Sequence, residues 1–189
     1  QRPIIVEAEN QSYGRSFAYS TLGVRSGLGS AYHVSDNKYL TVEPTSVSKN
    51  TLASVTFPIP NTLSGKYKIY CVFIPSSIVN PDDSRQYKVK YNFSYVNSAG
   101  TFVKDAAITS KNAIGTQGAT PAVFTTDSLA MTKMYVAEVN FPFCNLYTSK
   151  SLTSDINVKL KVESAVLIGE KALFDRDMRI DYIILEPVE

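Results

Sequence analysis

Residues 86–96, QYKVKYNFSYV, alternate with a period of two: Tyr87, Val89, Tyr91, Phe93 and Tyr95 share one side, and Lys88, Lys90, Asn92 and Ser94 share the other. Successive side chains of a strand point to opposite faces, so this is a half-buried β-strand. Residues 65–75, GKYKIYCVFIP, repeat the pattern, with Tyr67, Ile69, Cys71 and Phe73 set against Lys66, Lys68 and Tyr70. In 156–164, INVKLKVES, Val158, Leu160 and Val162 alternate with Lys159, Lys161 and Glu163. TKMYVAEVNFPF, 132–143, suggests a further strand through Tyr135, Ala137, Val139 and Phe141. The closing RIDYIILEPV, 179–188, is apolar on both faces, as a central strand requires.

Turn-forming clusters separate these runs: NTLSGK at 61–66, NPDDS at 80–84 and NSAGT at 97–101. No long helix is expected, although AVLIGEKALF has room for a turn or two. Strand after strand with turn signals between them predicts an all-β, antiparallel β-sandwich. At 189 residues the chain is read as one domain, 1–189. Two segments resist strand assignment, about Ser12 to Asn37 and about Thr109 to Ser128. Long loops on a β scaffold bind something or are packed by their own side chains.

Composition narrows the function. Hydrophobic residues make up 44% of the chain, enough for a full core, and no apolar run nears the ~20 residues of a membrane span. The net charge is +2 with Lys and Arg scattered, which gives no electrostatic footprint for nucleic acid or an anionic membrane, and without an apolar span no direct membrane insertion of this domain is expected. No signal peptide is visible, as in a mature or trimmed chain. Twelve Tyr, nine Phe and no Trp suit a β-rich surface that can also stack on sugars. Cys71 and Cys144 are read as buried free thiols or as one bridge.

Enzyme chemistry finds little support. His33 is the only histidine and lies in AYHVSD without a nucleophile motif. No zinc spacing, phosphate loop or dinucleotide fingerprint is present. The acidic pairs Asp82–Asp83 and Asp175–Asp177 lie in a turn and a loop, and are read as salt-bridged or solvated rather than as glycosidase carboxylates. The expectation is a non-enzyme.

VEAEN, at 6–10, places Glu7 and Glu9 two residues apart after an apolar run. One reading is an edge strand guarded by charge; the other is a hard-cation site. Together with the YL strand, VTFPIPNTLSGKYKIYCVF and the final RIDYIIL, this opening resembles the jelly-roll carbohydrate-binding modules of the family 6 and family 35 type, with a galactose-binding-like fold. IYCVFIPSSIV, MTKMYVAEVNFPFCNLY and FDRDMRIDYIILEPVE are similar to C-terminal domains of fasciclin-containing cell-adhesion proteins of gut Bacteroidetes. The resemblance implies a non-catalytic domain, extracellular or on the outer cell surface, with a lipoprotein anchor in a segment preceding this chain. Its partner would be a glycan or a cell-surface protein.

It also implies a structural calcium, held by Glu7, Glu9, Asp181 and backbone carbonyls. Asp181 is an acid on an otherwise apolar face and needs a partner, for which Arg176 and Arg179 are alternatives to the metal. For the sugar, family members use an aromatic platform beside Asn or Asp. The first long segment offers Tyr13, Tyr19, Tyr32 and Tyr39 with Arg25, Asp36 and Asn37. Sheet packing is the competing role for each Tyr. The alternative to glycan binding is a structural or protein-binding adhesion domain without a sugar site.

Overall fold

A computed structural model describes residues 2–10, 14–28, 34–108, 132–146 and 156–189. Eleven strands are named: β1 (Ile4–Glu7), β2 (Ser16–Ala18), β3 (Ser20–Ser26), β4 (Lys38–Pro44), β5 (Ser54–Pro58), β6 (Gly65–Phe73), β7 (Val89–Val96), β8 (Phe102–Ile108), β9 (Thr132–Phe141), β10 (Lys159–Ser164) and β11 (Met178–Pro187). Among the described residues helix is confined to single turns, including α1 (Ser76–Val79) and 3-10 turns at Ser35–Asn37 and Ile168–Glu170. One sheet runs β3-β4-β11-β6-β9, with β1 also on β11; the other runs β2-β5-β10-β7-β8. All strand ladders are antiparallel. The fold is the expected antiparallel jelly-roll sandwich.

The core is built by the inward rows read from the alternation. Tyr67, Ile69, Cys71 and Phe73 of β6 and Val158, Leu160 and Val162 on and beside β10 are buried, as are Val89, Tyr91 and Phe93 of β7. Rings meet within it, Phe93 on Phe141 at 6.1 Å and Phe73 on Tyr87 at 5.3 Å between centroids. Burying so many large apolar side chains at ~1.5–3 kcal/mol each is what holds the two sheets together. Cys71 and Cys144 are both free, Cys71 in the core and Cys144 exposed; burial pushes the Cys71 thiol upward.

Two expectations change. β9 does not keep one phase along its length: Ala137 pairs with Ile69 and Tyr135 with Tyr70, so Val136 is an extra residue in a bulge. A bulge moves the following side chains to the other face. Met134 and Val136 therefore point inward, whereas Tyr135 lies outside against Tyr70, ring centroids 5.6 Å apart. The segment read as a loop from Ser12 contains β2 and β3. These are edge strands exposed along most of their length, so they carry no apolar alternation. The second unassigned segment, Thr109 to Ser128, and His33 lie outside the described residues.

β11 is the axis of the larger sheet. β6 runs along one side of it; on the other, β4 covers Met178–Ile180 and β1 covers Tyr182–Leu185. Asp181 stands at the seam where β4 gives way to β1, and it is also the extra residue where the β6 register shifts. The first and last strands are thus neighbours.

Candidate functional site

The seam gathers carboxylates from three elements. β1 ends at Glu7 and the chain turns, with Asn10 N–H donating to Glu7 O at 3.1 Å. Ala8 drops into the core and donates to Asp181 O at 3.0 Å, which fixes Glu7 and Glu9 beside the seam. The Ser35–Asn37 turn arrives just ahead of β4. Ser35 N–H donates to both carboxylate oxygens of Asp181, at 3.1 and 3.2 Å, and its hydroxyl donates to Glu7 Oε1 at 2.7 Å. Asp36, with φ of 48°, faces the same group electrostatically.

Asp181 is fully buried. Burial pushes its carboxyl up to about 7; the Ser35 N–H opposes this, and repulsion from Glu7 and Glu9 adds to it. Glu7 and Glu9 are likewise raised, chiefly by burial; a hydrogen bond opposes it next in each, and repulsion from acidic neighbours adds a smaller push. Glu7 Oε2 and Glu9 Oε2 are buried without a hydrogen-bond partner. Neither arginine considered for Asp181 reaches it. Arg176 donates to the carbonyls of Ser46, Lys49 and Thr51, and Arg179 pairs with Asp175 at 2.9 Å. The nearby cations act on Glu9 instead: Lys38 lowers its pKa, and Arg15 donates to its backbone carbonyl at 3.3 Å.

These hard, charged oxygens, two of them orphaned, are the donor chemistry calcium prefers. Among the described residues, however, no three Asp, Glu, His or Cys side chains stand in a ready-made metal cage. The donor set fits the ion; the cage is not closed.

The residues considered for sugar binding do not form one surface. Tyr13 and Tyr32 lie outside the described residues. Tyr39 is 5% exposed, so its ring is wall rather than platform; Arg25, opposite it on β3, is exposed. Asp36 and Asn37 are exposed in the turn that feeds the acidic seam. Tyr19 is 61% exposed with φ of 52°, at the other end of β3 from Arg25.

The sequence reading missed a hollow of about 480 Å³ on the outer face of the five-stranded sheet. It falls within the ~300–1,000 Å³ of small-ligand sites. Ser16 and Thr56 are register partners, Thr56 and Lys161 are the next pair, and Lys159 faces Ser94. Lys104 of β8 completes the lining, with Phe17 and Phe102 at 58% and 47% exposure. The alternation in INVKLKVES marks Lys159 and Lys161 as outward. It carries no signal that β2 and β8 line the same hollow. A pocket of about 120 Å³ beside Glu7, lined by Ile5, Phe57 and Pro60, is too small for a sugar.

No family model and no curated protein sequence matches the chain. Solved structures do. A Paenibacillus xanthan lyase aligns with 99% of this chain at 14% identity and a TM-score of 0.50. A Podospora anserina GH26-CBM35 beta-(1,4)-mannanase aligns with 99% at 12% identity and 0.47. A family 35 carbohydrate binding module from Clostridium thermocellum aligns over 100% of both chains at 12% identity and 0.42. The chain spans 13% of the lyase and 28% of the mannanase. At these identities the likeness speaks for the fold. No helix among the described residues is long and apolar enough to cross a membrane.

Proposed function

We propose that this is a non-catalytic glycan-binding domain, working outside the cell or on its outer surface. The observation that carries the reading is the hollow on the five-stranded sheet: hydroxyls and ammonium groups on a rigid floor, with exposed Phe rings at its sides. Sugars present hydroxyls around a ring with apolar C–H faces, so such a surface meets both. The fold fits the role, because a sheet face holds its side chains in fixed relative positions. An adhesion role on a bacterial surface rests on the sequence resemblance to fasciclin-containing proteins. A screen of immobilised glycans tests the reading. Binding is expected, and its loss in Phe17→Ala or Phe102→Ala would assign it to the hollow. Silence across the screen, with the protein folded, overturns it.

Calcium at the seam belongs to this proposal. Glu7, Glu9 and Asp181 would hold it, and the ion would supply the positive charge that three facing carboxylates lack. A ligand of the folded state stabilises it by about 2.7 kcal/mol at a hundred times its Kd. For a chain of this size that is a rise in Tm of roughly 5–10 °C. An unchanged Tm between calcium and EDTA removes the ion.

A second reading has its own observation. Leu63, Phe143 and Leu146, at 42%, 49% and 67% exposure, flank the bridge between Thr62 and Asn145. An exposed apolar group of this kind suits a protein partner, in an adhesion domain without a sugar site. Self-association in sedimentation that Leu146→Ser abolishes would favour it.

A further inference from the structure

The charge of the hollow narrows what it takes. We propose that it binds an acidic polysaccharide, one whose sugars carry carboxylates as uronates do, in preference to a neutral one. This rests on the glycan-binding reading above and adds the ligand's charge to it.

Three ammonium groups, Lys104, Lys159 and Lys161, line the hollow, and no Asp or Glu is among its described lining residues. The whole chain carries 17 acidic and 19 basic residues. Three cations and no carboxylate among the described lining residues is local sorting, not the average surface. Other lysines on this sheet are neutralised at short range: Lys90 pairs with Glu163 at 3.0 Å and Lys88 with Glu170 at 2.7 Å. Lys161 has only a longer contact, 3.5 Å to the same Glu163 that Lys90 holds. Lys104 and Lys159 form no ion pair among the described residues.

Register fixes the geometry. Lys159 and Lys161 are two apart on β10, so they project from the same face roughly 7 Å apart. Lys104 lies across β7 from them, which makes the positive strip run over the sheet rather than along one strand. A polyanion laid across β8, β7 and β10 would meet the ammonium groups with its carboxylates. Ser94 and Thr56 would accept from and donate to its hydroxyls. The Phe17 and Phe102 rings favour a sugar over a bare polyphosphate, because apolar ring faces gain nothing from phosphate. Clustered ammonium groups repel one another, and an anion relieves that repulsion.

The test is affinity electrophoresis and titration calorimetry of the full chain with polygalacturonate, its fully methyl-esterified form, neutral galactan, and a single-stranded DNA oligomer. EDTA is present throughout, so that calcium bridging does not mimic binding. The expected result is binding to polygalacturonate that weakens with salt and with esterification. Lys159→Met and Lys104→Met should each cost about tenfold in affinity, the range of a charge-assisted hydrogen bond. Both are solvent-facing changes, and an unchanged Tm shows that the variants are folded. Equal binding to the esterified or neutral polymer overturns the charge preference while leaving the glycan reading standing. DNA binding as tight as that of polygalacturonate overturns it in favour of a general polyanion surface. Full affinity in both Lys variants overturns the location. No binding to any of these three polysaccharides overturns this inference, and the reading beneath it falls only if the wider glycan screen is silent as well.

Discussion

A carboxyl with no exposed surface and two acidic neighbours makes stability depend on pH in an unusual direction. Asp181 is raised from 3.8 to about 7. Between those values the folded state holds a proton that the unfolded chain has released. The stability contributed by this carboxyl is therefore full below pH 4, falls as pH rises toward 7, and levels off above. The loss is at most about 4 kcal/mol, from roughly three pKa units. Urea unfolding in EDTA across pH 4–8 is expected to show this descent as the difference between the natural protein and Asp181→Asn. Asp181→Asn keeps an acceptor for Ser35 N–H and removes the charge, so its profile should be flatter and its stability at pH 8 higher. With calcium at saturating level the descent should vanish in the natural protein, while the flatter profile of the variant should be unaltered by the ion. A variant whose pH slope in EDTA equals that of the natural protein would contradict the electrostatics of the seam.

At the level of strands, β9 separates what the sequence shows from what the tertiary structure adds. Its alternation suggests Tyr135 inside, whereas the bulge puts Val136 there, buried, and Tyr135 out on the sheet. Val136→Ala should cost on the order of 1–3 kcal/mol, as methyl deletions in a core do. Tyr135→Ala should cost under about 1 kcal/mol, the scale of an outer-face pair. Chemical denaturation of the two variants reads the order directly, and the reverse order would restore the unbroken phase. The regular strands β6, β7 and β10 were legible because one side of each is apolar and the other polar. β2 and β3 were not, because an exposed edge places no apolar demand on its residues. The pairing of chain ends and the approach of Asp181 to Glu7 followed from the resemblance. The hollow depends on five strands placed side by side, and no single stretch of sequence encodes it.

Across the whole molecule, an ion network ties three segments of the chain at the end of β11 where the strand begins. Asp175, 3% exposed, accepts from Ser76 Oγ at 2.8 Å and from Arg179 at 2.9 Å, while Arg85 lies 3.7 Å away and binds Asp83 at 2.8 Å. Tyr87 joins through its hydroxyl, which receives a hydrogen bond from Arg179 and donates to Ile74 O. Removing one partner from such a set strands a desolvated charge. Asp175→Ala should destabilise by about 3–5 kcal/mol in urea unfolding, and Asp83→Ala, whose partner is more exposed, by less.

The antiparallel match of Ile4 with Leu185 has a mechanical meaning. A tug on the two ends of the chain meets this ribbon at its open mouth, so its hydrogen bonds break in succession, like a zip, and not all at once under shear. The opening advances through Ile5–Ile184 and Val6–Ile183 and halts at Tyr182, where Asp181 and the glutamates sit. An ion gripping those side chains would act as a stop at the foot of the zip. Single-molecule pulling should then show low-force peeling of the first strand, followed by a calcium-dependent catch.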